Sequence, residues 1–213
     1  AVVVLGVSEV ERIAVAISVI HQFGAKTKKG MILQQLWNHS LVAAVAAETL
    51  AQFYNVRSVS ANDMYIAALL HDIGKAVLWQ FFPKAAKCIL DATEQQGATA
   101  HEVELEILAG ATHGLIGAWV AGHWALPLQT VQGIQMHHTP LDAPPGDESP
   151  RIVCVADSLC YRVSVPATKS AREIPQSAFR PSAFLEGNDA FMQKFKGLWE
   201  AKRKMIESVT SAG

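Results

Sequence analysis

Ala67-Ala68-Leu69-Leu70 runs without a polar residue straight into His71-Asp72. The same juxtaposition recurs along the chain. His39 lies between Trp37 and Leu41, His113 opens an apolar helical stretch, and His137-His138 close another. Asp157 follows Ile152-Val153-Cys154-Val155-Ala156. Burying an imidazole or a carboxylate without a partner is costly, so such groups are expected to be paired or metal-bound. Each alone reads as a hydrogen-bonded core residue or a cap. Together they demand a fold that gathers several helices around one point, as a bundle does.

Helical punctuation runs the length of the chain. Ser8-Glu9-Val10-Glu11 is a capping box, and Val10, Ile13, Ala14, Ile17, Ile20 and Phe23 keep helical spacing up to Gly24. A second helix is expected from about Met31 to Tyr54, and a third from Ser60-Ala61-Asn62-Asp63 to a stop at Gly74. Pro83 suits the first turn of a helix reaching Gln96, with Gly97 behind it. Thr99-Ala100-His101-Glu102 is a further capping box opening a helix to about Ala109. Thr112 opens a helix to Ala125, and Pro127 opens one ending at His137-His138, because Thr139 precedes Pro140. Pro150 starts a helix to Val163, residues 164–181 read as irregular, and an amphipathic helix spans about Asn188 to Ser208. No stretch alternates convincingly as a strand. The expectation is an all-α fold, a helical bundle of about nine or ten helices.

Composition narrows the function classes. The chain has 213 residues, half of them apolar, which is enough for one sizeable core. A formal charge of −1 lacks the basic footprint of a nucleic-acid binder. The longest apolar run, Ala1 to Val7, is far too short to span a membrane. Cys88, Cys154 and Cys160 form no CxxC pair and read as buried, inert thiols, which suits a reducing, cytoplasmic location. Trp37, Trp119 and Trp124 read as core, and His21, His101 and His123 as surface or ordinary helix residues. The chain opens on Ala1 directly in apolar sequence, which suggests a piece of something longer.

Imidazole nitrogens and carboxylate oxygens are ligands for first-row metals. Neighbours within a helix point about 100° apart, so His71 and Asp72 share a pocket only at a helix end. An Asp placed there lends one oxygen to each of two metals.

His71-Asp72-Ile73-Gly74-Lys75 resembles the HD motif of the HD superfamily of metal-dependent phosphohydrolases. Trp37-Asn38-His39-Ser40, Thr112-His113-Gly114 with Gly117, Trp124-Ala125-Leu126-Pro127 and His137-His138-Thr139-Pro140 resemble its HDOD branch. The resemblance runs from about Val2 to Val163. It implies an HD-superfamily bundle with residues 1–30 as a linking helix from a missing N-terminal part. Residues 31–163 then form the metal-binding core, and 164–213 a C-terminal irregular segment plus helix. It implies His39, His71, Asp72 and Asp157 as the minimal metal set. His113, His137 and His138 match the extra histidines of the HD-GYP branch, which hydrolyses cyclic di-GMP at a multi-metal site. Lys75 matches that branch's phosphate-touching lysine. The GYP signature is absent, and Gln35 stands where that branch carries a Glu, which argues against a third metal and against cyclic-dinucleotide recognition.

Three functions follow. The first is an HDOD-type signal-transduction domain with an intact binuclear metal site, working with a signalling protein or a fused regulatory domain. The second is a metal-dependent phosphohydrolase or phosphodiesterase acting on a nucleotide or cyclic dinucleotide, a phosphate-containing small molecule, with Asp72 and Lys75 as its catalytic residues; two cations would polarise a phosphoryl oxygen and activate water. The third is a vestigial helical scaffold. A donor set of imidazole and carboxylate without thiolate favours two divalent ions of iron or manganese over structural zinc. No nucleic acid and no membrane is expected as a partner.

Overall fold

The computed structural model describes residues 28–162 and 188–210. In order, its α-helices are α1 (Lys28–Phe53), α2 (Ala61–Leu70), α3 (Ile73–Phe81), α4 (Pro83–Gln96), α5 (Ala100–Ile107), α6 (His113–His123), α7 (Leu128–Met136), α8 (Ser149–Arg162) and α9 (Asp189–Thr210). A short 3-10 turn, Pro140–Asp142, follows α7. No strand occurs among the described residues, so the all-α expectation holds. The helix expected over Ser8–Gly24 and the irregular stretch 164–181 lie outside the described residues.

The centre of the bundle is α1. Val42 to Ala47 are buried all round its axis, as a helix enclosed by partners on every side must be. Small side chains here let α2, α8 and α9 pack directly along it. Phe191 and Phe195 of α9 enter the same core as Leu41, Met64, Val153 and Leu159. Asn188 fastens that last helix twice: its side-chain oxygen accepts the Phe191 N–H, and its side-chain nitrogen donates to Tyr54 Oη at 2.6 Å. A smaller cluster of Leu78, Ala86, Ile89 and Val103 unites α3, α4 and α5.

Local signals act as written in the sequence. Thr99 and Glu102 form a reciprocal capping box on α5, and the Thr112 hydroxyl caps α6 by accepting from Leu115 N. Gly97 closes α4 at φ 67°, a left-handed conformation that favours glycine.

Several expectations are corrected. The helix expected to stop at Gly74 ends at Leu70, and a new helix starts at Ile73 with Gly74 inside it. Gly74 is small for another reason: a Cβ there would stand 2.0 Å from the carbonyl oxygen of His113. It is therefore the point where α3 touches the backbone of α6. Trp119 and Trp124, read as core, are 75% and 51% exposed. Trp119 occupies the outer face of α6, whose inner face is taken by Gly114, Gly117 and Ala121 packed on neighbouring helices. Cys88, read as buried, is exposed, whereas Cys154 and Cys160 are buried.

Candidate metal centre

His71 and Asp72 occupy the two-residue break between α2 and α3. The break frees them from the 100° divergence of a continuous helix, and both turn into one pocket, with His71 Nε2 3.5 Å from Asp72 Oδ2. The pocket collects the other predicted residues. From α1, His39 Nε2 lies 2.8 Å from Asp157 Oδ1 of α8, and that same oxygen is 3.7 Å from His71 Nε2. From the start of α6, His113 Nε2 lies 3.3 Å from Asp72 Oδ1. From the end of α7, His137 Nε2 and His138 Nε2 lie 3.3 and 3.0 Å from His113 Nε2. All seven residues are thus brought together; six are buried and His138 is half-buried.

Close packing sets this convergence. Gly74 lets α3 approach His113, and Gly114, whose Cβ would stand 2.8 Å from the Gln135 carbonyl oxygen, lets α6 rest on the end of α7. The ligand-type atoms fall into overlapping groups: His39, His71 and Asp157; His71, Asp72 and His137; and His113, His137 and His138. Asp72 stands between the outer two groups, with one oxygen toward His71 and the other toward His113.

Tautomers follow from the hydrogen bonds. The Nδ1 of His71 contacts the Ala68 carbonyl oxygen at 2.7 Å, and that of His137 the Ile134 carbonyl oxygen at 2.7 Å. A carbonyl oxygen only accepts, so each Nδ1 carries the proton and each Nε2 presents a lone pair when the ring is neutral. His113 Nδ1 donates likewise to Glu104 Oε2 at 2.6 Å. With the rings neutral, three bare Nε2 atoms face inward. His71 Nε2 is buried and hydrogen-bonded to nothing. Those of His113 and His137 face one another at 3.3 Å, an arrangement that a cation between them would relieve. Outer hydrogen bonds that fix the far nitrogen are typical of metal-binding histidines. The donor set and its orientation fit a metal ion.

Burial would raise the Asp72 carboxyl, but the positive charge of His71 when protonated, of Lys75 and of protonated His113 outweighs it and holds its pKa well below the carboxylate range in the metal-free chain. Burial likewise works against charge on Asp157, yet its contacts with His39 and His71 hold it well below that range. Burial opposes protonation of His39, and the Asp157 hydrogen bond overcomes it, so the His39 pKa lies well above the ordinary value. His137 and His138 are pushed well below it, first by burial and then by neighbouring imidazoles. Lys75 Nζ sits 2.8 Å from Asp72 Oδ1 and 2.9 Å from Oδ2, so the lysine expected at a phosphate is engaged by the aspartate. Cys154, close to Asp157, is pushed up to about 12, first by burial, and stays a thiol.

Two residues escaped the sequence reading. Glu104 is 1% exposed and bonds His113. His101 packs its ring 4.9 Å from that of His138, with Nδ1 buried and unpartnered, rather than serving as an ordinary helix residue. The two stand three residues apart on α5, hence on one helical face. That spacing was the available signal.

A buried histidine–aspartate centre where α1, the α2–α3 break, α6, α7 and α8 meet defines an HD-type helical protein. The sequence matches the HDOD domain family over residues 1–140, and the chain belongs to that family. An uncharacterized protein of Treponema pallidum (strain Nichols) is 29% identical over 123 residues, which cover 58% of this chain and 23% of that protein. The chain therefore spans less than a quarter of that relative's length. A solved structure from Shewanella amazonensis SB2B, provisionally named as a phosphohydrolase, aligns over 96% of this chain and 71% of its own at TM-score 0.68 and 25% identity. An HDOD domain protein of unknown function from Geobacter sulfurreducens aligns over 92% and 71% at TM-score 0.66 and 19% identity. A Marinobacter aquaeolei VT8 protein, provisionally named for signal transduction, aligns over 96% and 45% at TM-score 0.72 and 20% identity. The fold is the expected HD-superfamily bundle. No helix among the described residues is long and apolar enough to cross a membrane.

Proposed function

We propose that this chain is an HDOD-type signal-transduction domain whose pocket holds two divalent first-row metal ions. His39, His71, Asp72 and Asp157 would serve one ion, and Asp72, His113, His137 and His138 the other. The observation that carries this reading is the Asp72 carboxylate, one oxygen directed to His71 and the other to His113. With nitrogen and oxygen donors and no thiolate, iron or manganese is favoured. The output is relayed to a signalling protein or a fused regulatory domain, and the metal or a phosphate-containing small molecule is the input.

A second reading, a phosphohydrolase, is favoured by Lys75. Its side chain is 28% exposed while its ammonium rests on Asp72, so it stands between the pocket and solvent. Bound ions would supply positive charge at phosphoryl oxygens. The chain's own contribution would be Lys75 turning from Asp72 to hold a phosphate oxygen, with the buried imidazoles keeping the pocket dry. The Shewanella relative's provisional name is in line with this reading.

Plasma emission analysis of protein purified without chelator, paired with a phosphodiesterase assay, separates the two. About two ions per chain with negligible turnover supports the signalling domain. Metal-dependent turnover moves the enzyme ahead, and a chain free of metal sinks both.

A further inference from the structure

Helix α5 carries none of the seven converging residues, yet its inner face addresses two of them. His101 leans on His138, and Glu104 reaches His113. A single oxygen of Glu104 accepts both the His113 backbone N–H at 2.7 Å and its Nδ1–H at 2.6 Å. Thr112 already caps α6, so the helix start has a neutral acceptor of its own. The helix start offers this carboxylate partial positive charge and one backbone N–H, and the imidazole Nδ1–H is the side-chain donor it meets. Burying a charge is costly unless it is hydrogen-bonded, and Glu104 finds both donors on His113.

We propose that Glu104 is a positioning residue of the metal centre: its carboxylate locks His113 in the Nδ1–H tautomer, aims Nε2 at Asp72, His137 and His138, and strengthens His113 as a donor to the ion those histidines hold. This rests on the metal-binding reading above. The logic is that of carboxylate–histidine–metal triads, in which the outer partner fixes the ring and raises ligand basicity. It also distinguishes the two halves of the pocket. His71 and His137 are oriented by neutral carbonyl oxygens, whereas His113 alone among these three is oriented by a carboxylate. The ion on the His113 side is therefore the one whose affinity depends on Glu104.

Glu104→Gln keeps an oxygen for both hydrogen bonds and removes only the charge; Glu104→Ala removes both. Chelator-stripped protein is titrated with Mn2+ by calorimetry. Glu104→Gln is expected to weaken one of two sites by about 10–100-fold, leaving the other within about twofold. Unchanged affinities, or equal weakening of both sites, overturn the proposal. Long-range 1H–15N spectra of the metal-free protein report the His113 tautomer independently of any ion. Loss of the single Nδ1–H form in Glu104→Ala supports the role, and its persistence overturns it. If the unsubstituted protein binds no Mn2+, the metal reading fails while the tautomer spectra still decide whether Glu104 orients His113. If Glu104→Ala does not fold, the Gln variant's titration decides alone.

Discussion

The Lys75 ammonium lies within 2.9 Å of both oxygens of the buried Asp72 carboxylate, one helical turn away. Those are the same two oxygens that face His71 and His113. Lys75 thus holds, in the metal-free chain, the charge balance that cations would supply. Burial opposes a charged lysine, but Asp72 and Glu104 outweigh it and keep its pKa raised.

From this pairing, Lys75→Met should destabilise the metal-free protein. Stripping the partner from a fully buried charge costs about 3–5 kcal/mol, and partial exposure of Lys75 reduces this to about 1–3 kcal/mol. The Tm should fall by about 3–10 °C. Added Mn2+ should shrink the deficit, because the ion replaces the missing ammonium at Asp72. A Tm equal to wild type without metal would show the ion pair contributes nothing.

Chelation should lower the Tm of protein purified without chelator. A ligand at a hundred times its Kd adds about 2.7 kcal/mol to the native state. Asp72→Ala should abolish the response to chelator, since on the proposed two-ion reading both ions lose a ligand, whereas His138→Ala should retain part of it. Thermal melts before and after chelator, with metal analysis of the same samples, provide the test. A Tm indifferent to chelator favours a vestigial scaffold.

The contact between Gly74 and His113 predicts opposite signs for two similar changes. Gly74→Ala forces a methyl to 2.0 Å from a backbone oxygen, so α3 and α6 must separate and the protein should lose several kcal/mol, within the range of severe core mutations. Gly122→Ala, in the last turn of α6 with nothing within 4 Å of the added carbon, should gain about 0.4–1 kcal/mol. Urea midpoints read both. Equal tolerance at the two sites would contradict the described packing.

Below pH 6.5 the metal-stripped protein should become less stable. His137 and His138 have pKa values depressed by burial and by neighbouring imidazoles, while the unfolded chain titrates near 6.5. In that window the unfolded state binds more protons at these two residues, so stability falls as pH falls. His39 acts oppositely: its raised pKa contributes stability present below 6.5 and lost as pH rises through the higher folded value. His101, lowered mainly by burial, acts with His137 and His138, so three residues against one set the net sign. Asp72 and Asp157, depressed by their partners, lose their contribution only as pH falls below the ordinary carboxylate range. The urea midpoint of metal-free protein should therefore be lower at pH 5.5 than at pH 7.5; a higher midpoint at 5.5 would reverse the assignment.

On catalysis, we expect at most slow hydrolysis of a generic phosphodiester such as bis-p-nitrophenyl phosphate, abolished by Asp72→Ala, and no efficient turnover of cyclic di-GMP. After His138 the chain continues Thr139-Pro140-Leu141-Asp142, without a GYP segment to recognise that dinucleotide. Rapid, Asp72-dependent cleavage of cyclic di-GMP would place the enzyme reading first.

The sequence by itself determined the helical class, most helix ends and the seven converging residues. Caps such as Thr99 with Glu102 act within one turn of chain, and polar groups inside apolar helices stand out against their neighbours. The motif spacing supplied the rest of that set through its resemblance to HDOD proteins. What it did not determine depends on contacts between distant segments. The helix break at His71-Asp72 places the pair, but Gly74 looked like a stop signal until α6 was seen to pass against it. Trp119 and Trp124 carry hydrophobicity without direction, and only the packing of the inner face of α6 left Trp119 outside. Glu104 was not singled out by the sequence. Its burial against His113, nine positions later, exists only because the turn after α5 brings the start of α6 back to Glu104, and no local rule of capping encodes that approach.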